Sequence, residues 1–224
     1  MIKMVVFDMA GTTVNEDNVV YKTLQQAINE QGFSFTLEQV LAEGAGKEKL
    51  QAIQSVLAVY AGNNSVELAD RIFARFRILL DQAYATLEVT EQENAGSLFQ
   101  SLRKEGVLVV LNTGYQADTA NGLIEKLGWQ RGEDYDALIT ASDVPRNRPY
   151  PDMILRAMEQ FGISNGREVV KVGDSTIDIE EGKNAGCALS IGITTGAHTK
   201  EQLQQASPDY IIHNLNELMP IIIS

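Results

Sequence analysis

The segment Met4-Val5-Val6-Phe7-Asp8-Met9-Ala10-Gly11-Thr12-Thr13 decides the fold. Its first four residues form an uninterrupted apolar run, which predicts a strand buried on both faces of a parallel sheet. Asp8 places a carboxylate where this strand ends, and Gly11 permits a sharp turn immediately afterwards. The same apolar character returns in five later segments: Val107–Leu111, Ala137–Thr140, Val169–Val172, Leu189–Ile193 and Tyr210–Ile212.

Amphipathic segments separate these runs from Val107 onward. Gln116–Leu127 and Asp152–Phe161 carry their apolar residues at the spacing of one helical face. Regular alternation of strands and helices predicts an α/β fold built on a doubly wound, Rossmann-like parallel sheet.

The stretch between Phe7 and Val107 interrupts that alternation, because it contains almost no strand pattern. We therefore expect an α-helical cap domain over residues 15–87, inserted after the first strand into a core domain of residues 1–14 and 88–224. Hinges are expected near Val14–Asp17 and Ala85–Thr90; extra helices packed directly on the sheet are the alternative. Helical spacing is found in four segments: Asn18–Gln31, Leu37–Glu43, Glu48–Tyr60 and Val66–Tyr84.

The composition narrows the classes of function. The chain has 224 residues, with 44% hydrophobic and 21% charged residues, which is ordinary for a folded domain. A net charge of −12 without clustered basic residues argues against nucleic acid or an anionic membrane surface as partner. One cysteine excludes an internal disulfide, and one cysteine with two histidines is too few for a cysteine- or histidine-rich metal cluster. No signal peptide or membrane span is recognisable, so we expect a cytoplasmic protein.

Residues suited to phosphate chemistry follow the predicted strands. Ligands of open α/β sheets bind at the carboxyl ends of the strands, so these residues should meet. Carboxylates suit Mg²⁺, a hydroxyl and an amide suit phosphate, and arginine neutralises phosphoryl charge. The pattern predicts a Mg²⁺-dependent phosphoryl-transfer site containing Asp8, Thr113 with Gly114, Arg148, and Asp174 with Asp178.

At these residues the sequence resembles the haloacid dehalogenase superfamily of phosphohydrolases, over essentially the whole chain. The resemblance implies that Asp8 is the nucleophile and a Mg²⁺ ligand, and that Ala10 lends its backbone carbonyl to the metal. It further implies that Asp174 ligates the metal directly and that Asp178 supports it. A metal-free dehalogenase is disfavoured because both of these aspartates are present.

The same resemblance assigns the phosphoryl group to the loop after the second predicted core strand. Thr113 and the Gly114 amide would hold that group, and Arg148 matches the basic residue of the motif. Most phosphatases of the superfamily also carry an acid two residues after the nucleophile. Ala10 occupies that position here and cannot transfer a proton.

Within the superfamily, Asp8-Met9-Ala10-Gly11-Thr12-Thr13 is similar to the phosphonatase-like subgroup, which includes phosphonoacetaldehyde hydrolase. Phosphonatases cleave a carbon–phosphorus bond by using a cap lysine that forms a Schiff base with the substrate aldehyde. The iminium withdraws electrons, so the carbon departs as an enamine and needs no acid at position 10.

The expected lysine lies in Gly44-Ala45-Gly46-Lys47-Glu48-Lys49-Leu50. The subgroup places its lysine three residues after a glycine, which matches Gly46 and Lys49. Lys47 is the competing amine and a candidate substrate contact. Two departures occur here, since Ala45 replaces a methionine and Ala52 replaces a histidine of the subgroup.

Three hypotheses about function follow. The favoured one is C–P hydrolysis of a small carbonyl phosphonate through an aspartyl phosphate on Asp8. The alternatives are a phosphomonoester phosphatase acting on a small metabolite, and a protein that binds a phosphorylated metabolite without turnover. Relatives that pair do so through cap helices, so a homodimer is a further expectation.

Overall fold

The apolar runs of the sequence form the strands of the computed structural model, which describes residues 1–223. In chain order the strands are β1 (Met4–Asp8), β2 (Val14–Asn15), β3 (Thr90–Glu91), β4 (Leu108–Thr113), β5 (Ala137–Thr140), β6 (Val169–Gly173), β7 (Leu189–Ile193) and β8 (Tyr210–Ile212). Six of them make one parallel sheet in the order β5-β4-β1-β6-β7-β8. The predicted α/β fold with a Rossmann-like parallel sheet is confirmed.

Helices connect the strands and cover the sheet. The predicted helical segments all form, and Ala95–Lys104 is a further helix that was not predicted from the sequence. The helices are α1 (Val19–Asn29), α2 (Leu37–Gly44), α3 (Lys49–Ala61), α4 (Val66–Thr86), α5 (Ala95–Lys104), α6 (Ala117–Leu127), α7 (Asp152–Gln160), α8 (Thr176–Asn184), α9 (Lys200–Gln205) and α10 (Leu218–Ile222).

The first four helices form a unit of their own between β2 and β3. Helices α1 to α4 pack mainly against one another rather than against the strands of the sheet. The chain enters and leaves this four-helix unit through a two-stranded antiparallel ribbon, in which Val14 pairs with Glu91 and Asn15 with Thr90. The ribbon coincides with the expected hinges, and the division into cap and core domains stays a prediction.

Both faces of the central strands are buried. In β1, Met4 and Val6 belong to one apolar cluster, whereas Val5 and Phe7 belong to the cluster on the other face. Neighbouring side chains of a strand point to opposite faces, so a strand covered on both faces is apolar without alternation. This arrangement explains the uninterrupted runs in the sequence.

No helix within residues 1–223 is long and apolar enough to cross a membrane. Cys187 is buried, and burial raises the pKa of its thiol to about 12. The thiol is therefore uncharged at neutral pH and packs as a small hydrophobic side chain.

Replacement of Phe99 by alanine should lower the free energy of unfolding by about 3–5 kcal/mol, because it empties a buried aromatic position. The ring of Phe99 lies 5.4 Å from that of Phe7 and 5.3 Å from that of Trp129, measured between centroids. Urea denaturation measures the change. Phe33→Ala, at a partly exposed ring beside Phe35, is the control and should lose less than half as much. Equal losses would contradict the assignment of the core to the sheet.

Candidate active site

The carboxyl ends of three neighbouring strands meet at one edge of the sheet. Asp8 is the last residue of β1, Thr113 is the last residue of β4, and Asp174 follows β6 directly. Because β1 lies between β4 and β6 in the sheet, these residues come together as the sequence predicts. Ala10 lies in the turn directly after β1.

Three buried carboxylates form the centre of this edge. Asp8, Asp174 and Asp178 each offer one oxygen, and these oxygens all lie within 4.8 Å of one another. Asp178 lies in the first turn of α8, and Ser175 donates a hydrogen bond to its carboxylate. A set of oxygen donors at this spacing could hold a hard divalent cation.

The three carboxyl groups of this cluster differ in the direction of their pKa shifts. Burial raises the pKa of Asp8 because desolvation disfavours the charged form more than Arg148 favours it. It also raises the pKa of Asp174 well above its ordinary value. Burial acts on Asp178 too, but the positive charges of Arg148 and Lys171 outweigh it and lower the pKa of Asp178. A cation held between Asp8 and Asp174 would offset the desolvation of both, so the cluster fits a metal ion.

Arg148 crosses the site with almost no exposure to solvent. Its Nη1 donates to Asp8 Oδ1 over 2.7 Å and lies 3.1 Å from Asp178 Oδ1. Its Nη2 donates to the side-chain oxygen of Asn112 over 2.7 Å, and its Nε donates to Glu181 over 2.9 Å. These contacts fix the guanidinium directly beside the carboxylate predicted to be the nucleophile.

Three polar residues beneath the site were not identified from the sequence. Lys171 Nζ lies 2.9 Å from Asp178 Oδ1 and donates to Asn112 Oδ1 over 2.7 Å. The amide of Asn112 donates to both carboxylate oxygens of Glu181 at 3.0 Å. A signal was present, because a lysine in the middle of a strand buried on both faces requires a carboxylate partner. Lys171 has two such partners: Asp178 is one, and Glu181, three residues later on α8, is the other.

Thr113 and Gly114 lie where β4 ends. The Thr113 hydroxyl accepts a hydrogen bond from the Tyr115 amide over 3.1 Å. A Cβ atom at Gly114 would lie only 2.7 Å from the carbonyl oxygen of Lys47, so this position requires glycine. Helix α6 begins at Ala117, and its first turn is therefore three residues beyond Gly114.

The loop between α2 and α3 covers this edge of the sheet. The carbonyl of Gly46 accepts a hydrogen bond from Arg148 Nη1 over 3.3 Å. Gly46 has a φ of +73°, and a Cβ atom there would collide with the side chains of Ser175 and Ile177. Two glycines, at 46 and 114, thus allow the four-helix unit to approach the strand ends closely.

The two candidate lysines of this loop have different surroundings. Lys47 is half-buried, and its Nζ donates to Ser55 Oγ over 3.0 Å, within the four-helix unit. Burial lowers the pKa of Lys47, against Glu43 and Glu180, which raise it. Neither of these acids belongs to the site.

Lys49 is the first residue of α3 and is 6% exposed. Its Nζ donates to the carbonyl oxygen of Lys47 over 2.8 Å and lies 5.1 Å and 5.2 Å from the ring centroids of Tyr21 and Tyr115. Burial lowers the pKa of Lys49, while Asp8 is the charge that most opposes this shift. The structure therefore places a desolvated amine at the start of α3, next to the loop that covers the strand ends.

Comparisons with known proteins agree with this geometry. A family model described as haloacid dehalogenase-like hydrolase matches residues 2–186. The bifunctional phosphonoacetaldehyde hydrolase/aminoethylphosphonate transaminase of Clostridioides difficile (strain 630) is 31% identical over 88% of this chain and 32% of its own. This chain thus spans about a third of that relative. Phosphonoacetaldehyde hydrolase of Lysinibacillus sphaericus (strain C3-41) is 30% identical over 88% of this chain and 76% of its own.

A solved structure has the same fold. The crystal structure of a phosphonoacetaldehyde hydrolase like protein from Oleispira antarctica aligns with a TM-score of 0.83 and 22% identity, over 99% of this chain and 91% of that chain. Other matched relatives carry phosphatase or pyrophosphatase names. Together these matches identify a hydrolase family, with both phosphonate and phosphate names among the relatives.

Lys171→Met should lower the free energy of unfolding by about 3–5 kcal/mol, because it leaves two buried carboxylates short of a positive charge. Urea denaturation at neutral pH is the measurement. Lys22→Met removes an exposed ion pair with Asp17 and should change stability by less than about 1 kcal/mol. Addition of Glu181→Gln to Lys171→Met should recover part of the loss. If Lys171→Met alone were as stable as the wild-type protein, the buried ion pairs of Lys171 would contribute little to stability.

Proposed function

This chain belongs to the haloacid dehalogenase-like hydrolase family, and from that premise we propose that it is a Mg²⁺-dependent phosphonatase. The proposed reaction is hydrolysis of the C–P bond in a small carbonyl phosphonate of the phosphonoacetaldehyde type. The observation that carries the proposal is the buried amine of Lys49, which lies over two tyrosine rings and whose pKa is affected by the charge of Asp8.

The phosphoryl half of the reaction is assigned to the strand ends. Asp8 attacks phosphorus and becomes an aspartyl phosphate, which water then hydrolyses. Arg148 holds the Asp8 carboxylate and supplies positive charge for the phosphoryl oxygens, and Thr113 with the Gly114 amide binds them. Mg²⁺, held by Asp8, Asp174, Asp178 and the Ala10 carbonyl, would add Lewis-acid charge neutralisation.

The carbon half is assigned to Lys49. Its amine forms an imine with the substrate carbonyl, and the electron pair of the breaking C–P bond moves toward the iminium nitrogen. The carbon fragment separates from phosphorus as an enamine that is still bound to Lys49, so no acid is needed at Ala10. Protonation of the enamine carbon and hydrolysis of the resulting imine by water release the aldehyde and restore the amine. Burial supports this role because it lowers the pKa of Lys49 and thereby increases the neutral, nucleophilic form.

The geometry favours Lys49 over Lys47 as this amine. The Nζ atom of Lys47 donates to Ser55 inside the four-helix unit, whereas the charges of Asp8 and Arg148 affect the pKa of Lys49. Lys47 contributes instead through its backbone, since its carbonyl accepts from Lys49 and closely approaches Gly114. Direct contact between the Lys47 side chain and substrate stays a prediction.

The four-helix unit is proposed to act as a cap. Its contacts with the core include the Gly46 carbonyl on Arg148 and an ion pair of 2.9 Å between Arg77 and Asp118. Closure of such a cap excludes water during phosphoryl transfer. Location in the cytoplasm and pairing as a homodimer stay predictions.

Mg²⁺ should raise the melting temperature of the wild-type protein, because a ligand that binds only the folded state stabilises it by about 2.7 kcal/mol at a concentration of 100 times its Kd. Asp174→Asn should remove most of this shift. The control is Asp70→Asn on the exposed face of α4, which should retain it. Thermal unfolding followed by circular dichroism, with EDTA and with Mg²⁺, gives the comparison; an equal shift in both variants would contradict the metal assignment.

Phosphonoacetaldehyde should release phosphate with the wild-type protein and Mg²⁺, and borohydride should trap the substrate on Lys49. Asp8→Asn should abolish release because it removes the nucleophile. Lys49→Arg should also abolish it, since a guanidinium keeps the charge but forms no imine in water. Lys22→Arg, at an exposed ion pair of α1, is the matched control and should stay active. Phosphate assays and mass spectrometry of the reduced adduct are the measurements.

A phosphomonoester phosphatase is the second candidate, because matched relatives carry phosphatase names. Efficient turnover of phosphate esters by wild type and Lys49→Ala alike, with none of the phosphonate, would favour it. Tight Mg²⁺-dependent binding of a phosphorylated metabolite without phosphate release would favour a binding protein instead.

A further inference from the structure

The loop that follows β7 contacts Asp174, and no step of the mechanism described above uses it. This β7 loop, residues 194–198, has the sequence Thr194-Thr195-Gly196-Ala197-His198, and each of its residues is buried or partly exposed. Its hydrogen bonds reach the turn after β1, the start of α8 and the four-helix unit. A loop held at so many points can fix the carboxylate that it contacts.

The β7 loop holds one carboxylate oxygen of Asp174. The Ala197 amide donates to Asp174 Oδ2 over 2.6 Å, and the His198 amide donates to the backbone carbonyl of Asp174 over 3.2 Å. Within residues 1–223, no hydrogen bond is donated to Asp174 Oδ1. One oxygen therefore orients the carboxylate, and the other is available to a cation.

Two glycines allow the β7 loop to approach this carboxylate. A Cβ atom at Gly196 would collide with Asp174 Oδ2, and a Cβ atom at Gly11 would collide with the same oxygen and lie only 2.8 Å from Gly196 Cα. The Thr195 hydroxyl donates to the carbonyl oxygen of Gly11 over 2.6 Å. This bond connects the β7 loop to the turn that follows Asp8, so two predicted metal ligands are linked through it.

His198 connects the other end of the β7 loop to two helices. Its Nδ1 accepts a hydrogen bond over 3.1 Å from the amide of Thr176, the first residue of α8. An amide nitrogen only donates, so Nδ1 carries no proton and the neutral ring carries its proton on Nε2. Nε2 lies 3.3 Å from the carbonyl oxygen of Leu41 on α2, which accepts that proton in a hydrogen bond. The side chain of His198 thus joins the core to the four-helix unit.

We infer that Thr195 and His198 are positioning residues for Asp174, through which the β7 loop sets the affinity of the site for a divalent cation. The inference rests on the metal site of the proposed function and is independent of its carbon chemistry. The Ala197 amide meets Asp174 Oδ2 only while the residues on either side of it keep the loop in place. Partners that orient metal ligands in this way typically contribute about 10–100-fold to metal affinity.

The contact of His198 with Leu41 adds a link to the four-helix unit. This hydrogen bond exists only while α2 lies against the β7 loop. Docking of the four-helix unit therefore stabilises the loop conformation that orients Asp174. Because coupling between two binding events is reciprocal, a bound cation favours the docked position of the four-helix unit in return.

The Mg²⁺ affinity of Thr195 variants tests the inference. Thr195→Val keeps the shape of the side chain and removes the hydroxyl, whereas Thr195→Ser keeps the hydroxyl. Titration calorimetry of Mg²⁺ into protein freed of metal with EDTA should show a Kd raised about 10-fold or more for Thr195→Val and a Kd close to the wild-type value for Thr195→Ser. Thr86→Val, at the exposed end of α4, is the matched control and should bind as the wild-type protein does.

Two His198 variants separate the two bonds of the ring. The side-chain oxygen of His198→Asn can replace Nδ1 as acceptor for the Thr176 amide, but this shorter side chain does not reach Leu41. His198→Ala removes both bonds. The Kd for Mg²⁺ should rise for His198→Asn and rise further, by about 10-fold or more, for His198→Ala. A wild-type Kd for His198→Asn would overturn the link to the four-helix unit.

A purely structural role would change stability but not the affinity of the folded protein for Mg²⁺. Melting temperatures in EDTA measure the first quantity and calorimetry the second. With phosphonoacetaldehyde, turnover by Thr195→Val should be low at the Mg²⁺ concentration that half-saturates the wild-type protein and should recover at saturating Mg²⁺. Turnover that stays low at saturating Mg²⁺, with a wild-type Kd, would contradict a role in orienting the metal ligand.

The outcomes distinguish the inference from the proposed function. Wild-type Mg²⁺ affinity in both Thr195→Val and His198→Ala would overturn the inference and leave the proposed function intact. Normal Mg²⁺ binding without phosphonate turnover by the wild-type protein would overturn the proposed reaction and leave the inference standing. Absence of Mg²⁺ binding by the wild-type protein would overturn the inference together with the metal assignment. If Thr195→Val fails to fold, the two His198 variants decide.

Discussion

The structure depends on the balance of charge buried where the central strands end. Carboxylates gather at this edge, and desolvation opposes their negative charge. Two cations that never reach solvent, Arg148 and Lys171, lie among them. The network is extensive because each cation contacts more than one acid. Side chains fixed in this way need little reorganisation when charge develops on a substrate, which is the condition for efficient phosphoryl transfer.

The same edge determines where the four-helix unit can lie. Its loop reaches the strand ends only because Gly46 and Gly114 have no side chains, and the Gly46 carbonyl then bonds to Arg148. Lys49 follows this loop and begins α3, so its position follows from the contact. One rigid cluster thus orients the predicted nucleophile and the predicted amine, although a long helical segment separates them in the chain.

The sequence predicted the parts of the molecule that local pattern encodes. Uninterrupted apolar runs identified the strands, and Asp8 and Asp174 were recognised because each ends such a run. Two contacts could not be predicted in this way: that of Lys171 with Glu181, and the hydrogen bond from the Tyr84 hydroxyl to the Glu16 carboxylate. The first depends on how α8 packs on β6, and the second joins residues 68 positions apart and depends on the packing of α4. A lysine in a buried strand predicts that an acidic partner exists, but only the tertiary structure shows which residue it is.

Two buried lysines show how the surroundings, rather than the residue type, determine chemistry. Lys171 lies 2.9 Å from Asp178 and donates to Asn112, so the adjacent carboxylate compensates its charge. Within residues 1–223, Lys49 forms no ion pair; its amine donates to a backbone carbonyl and lies over two aromatic rings. Aromatic faces stabilise an ammonium less than a carboxylate does in the same desolvated setting. Lys171 is therefore a fixed counter-ion, whereas the lowered pKa of Lys49 is consistent with the role proposed for its amine.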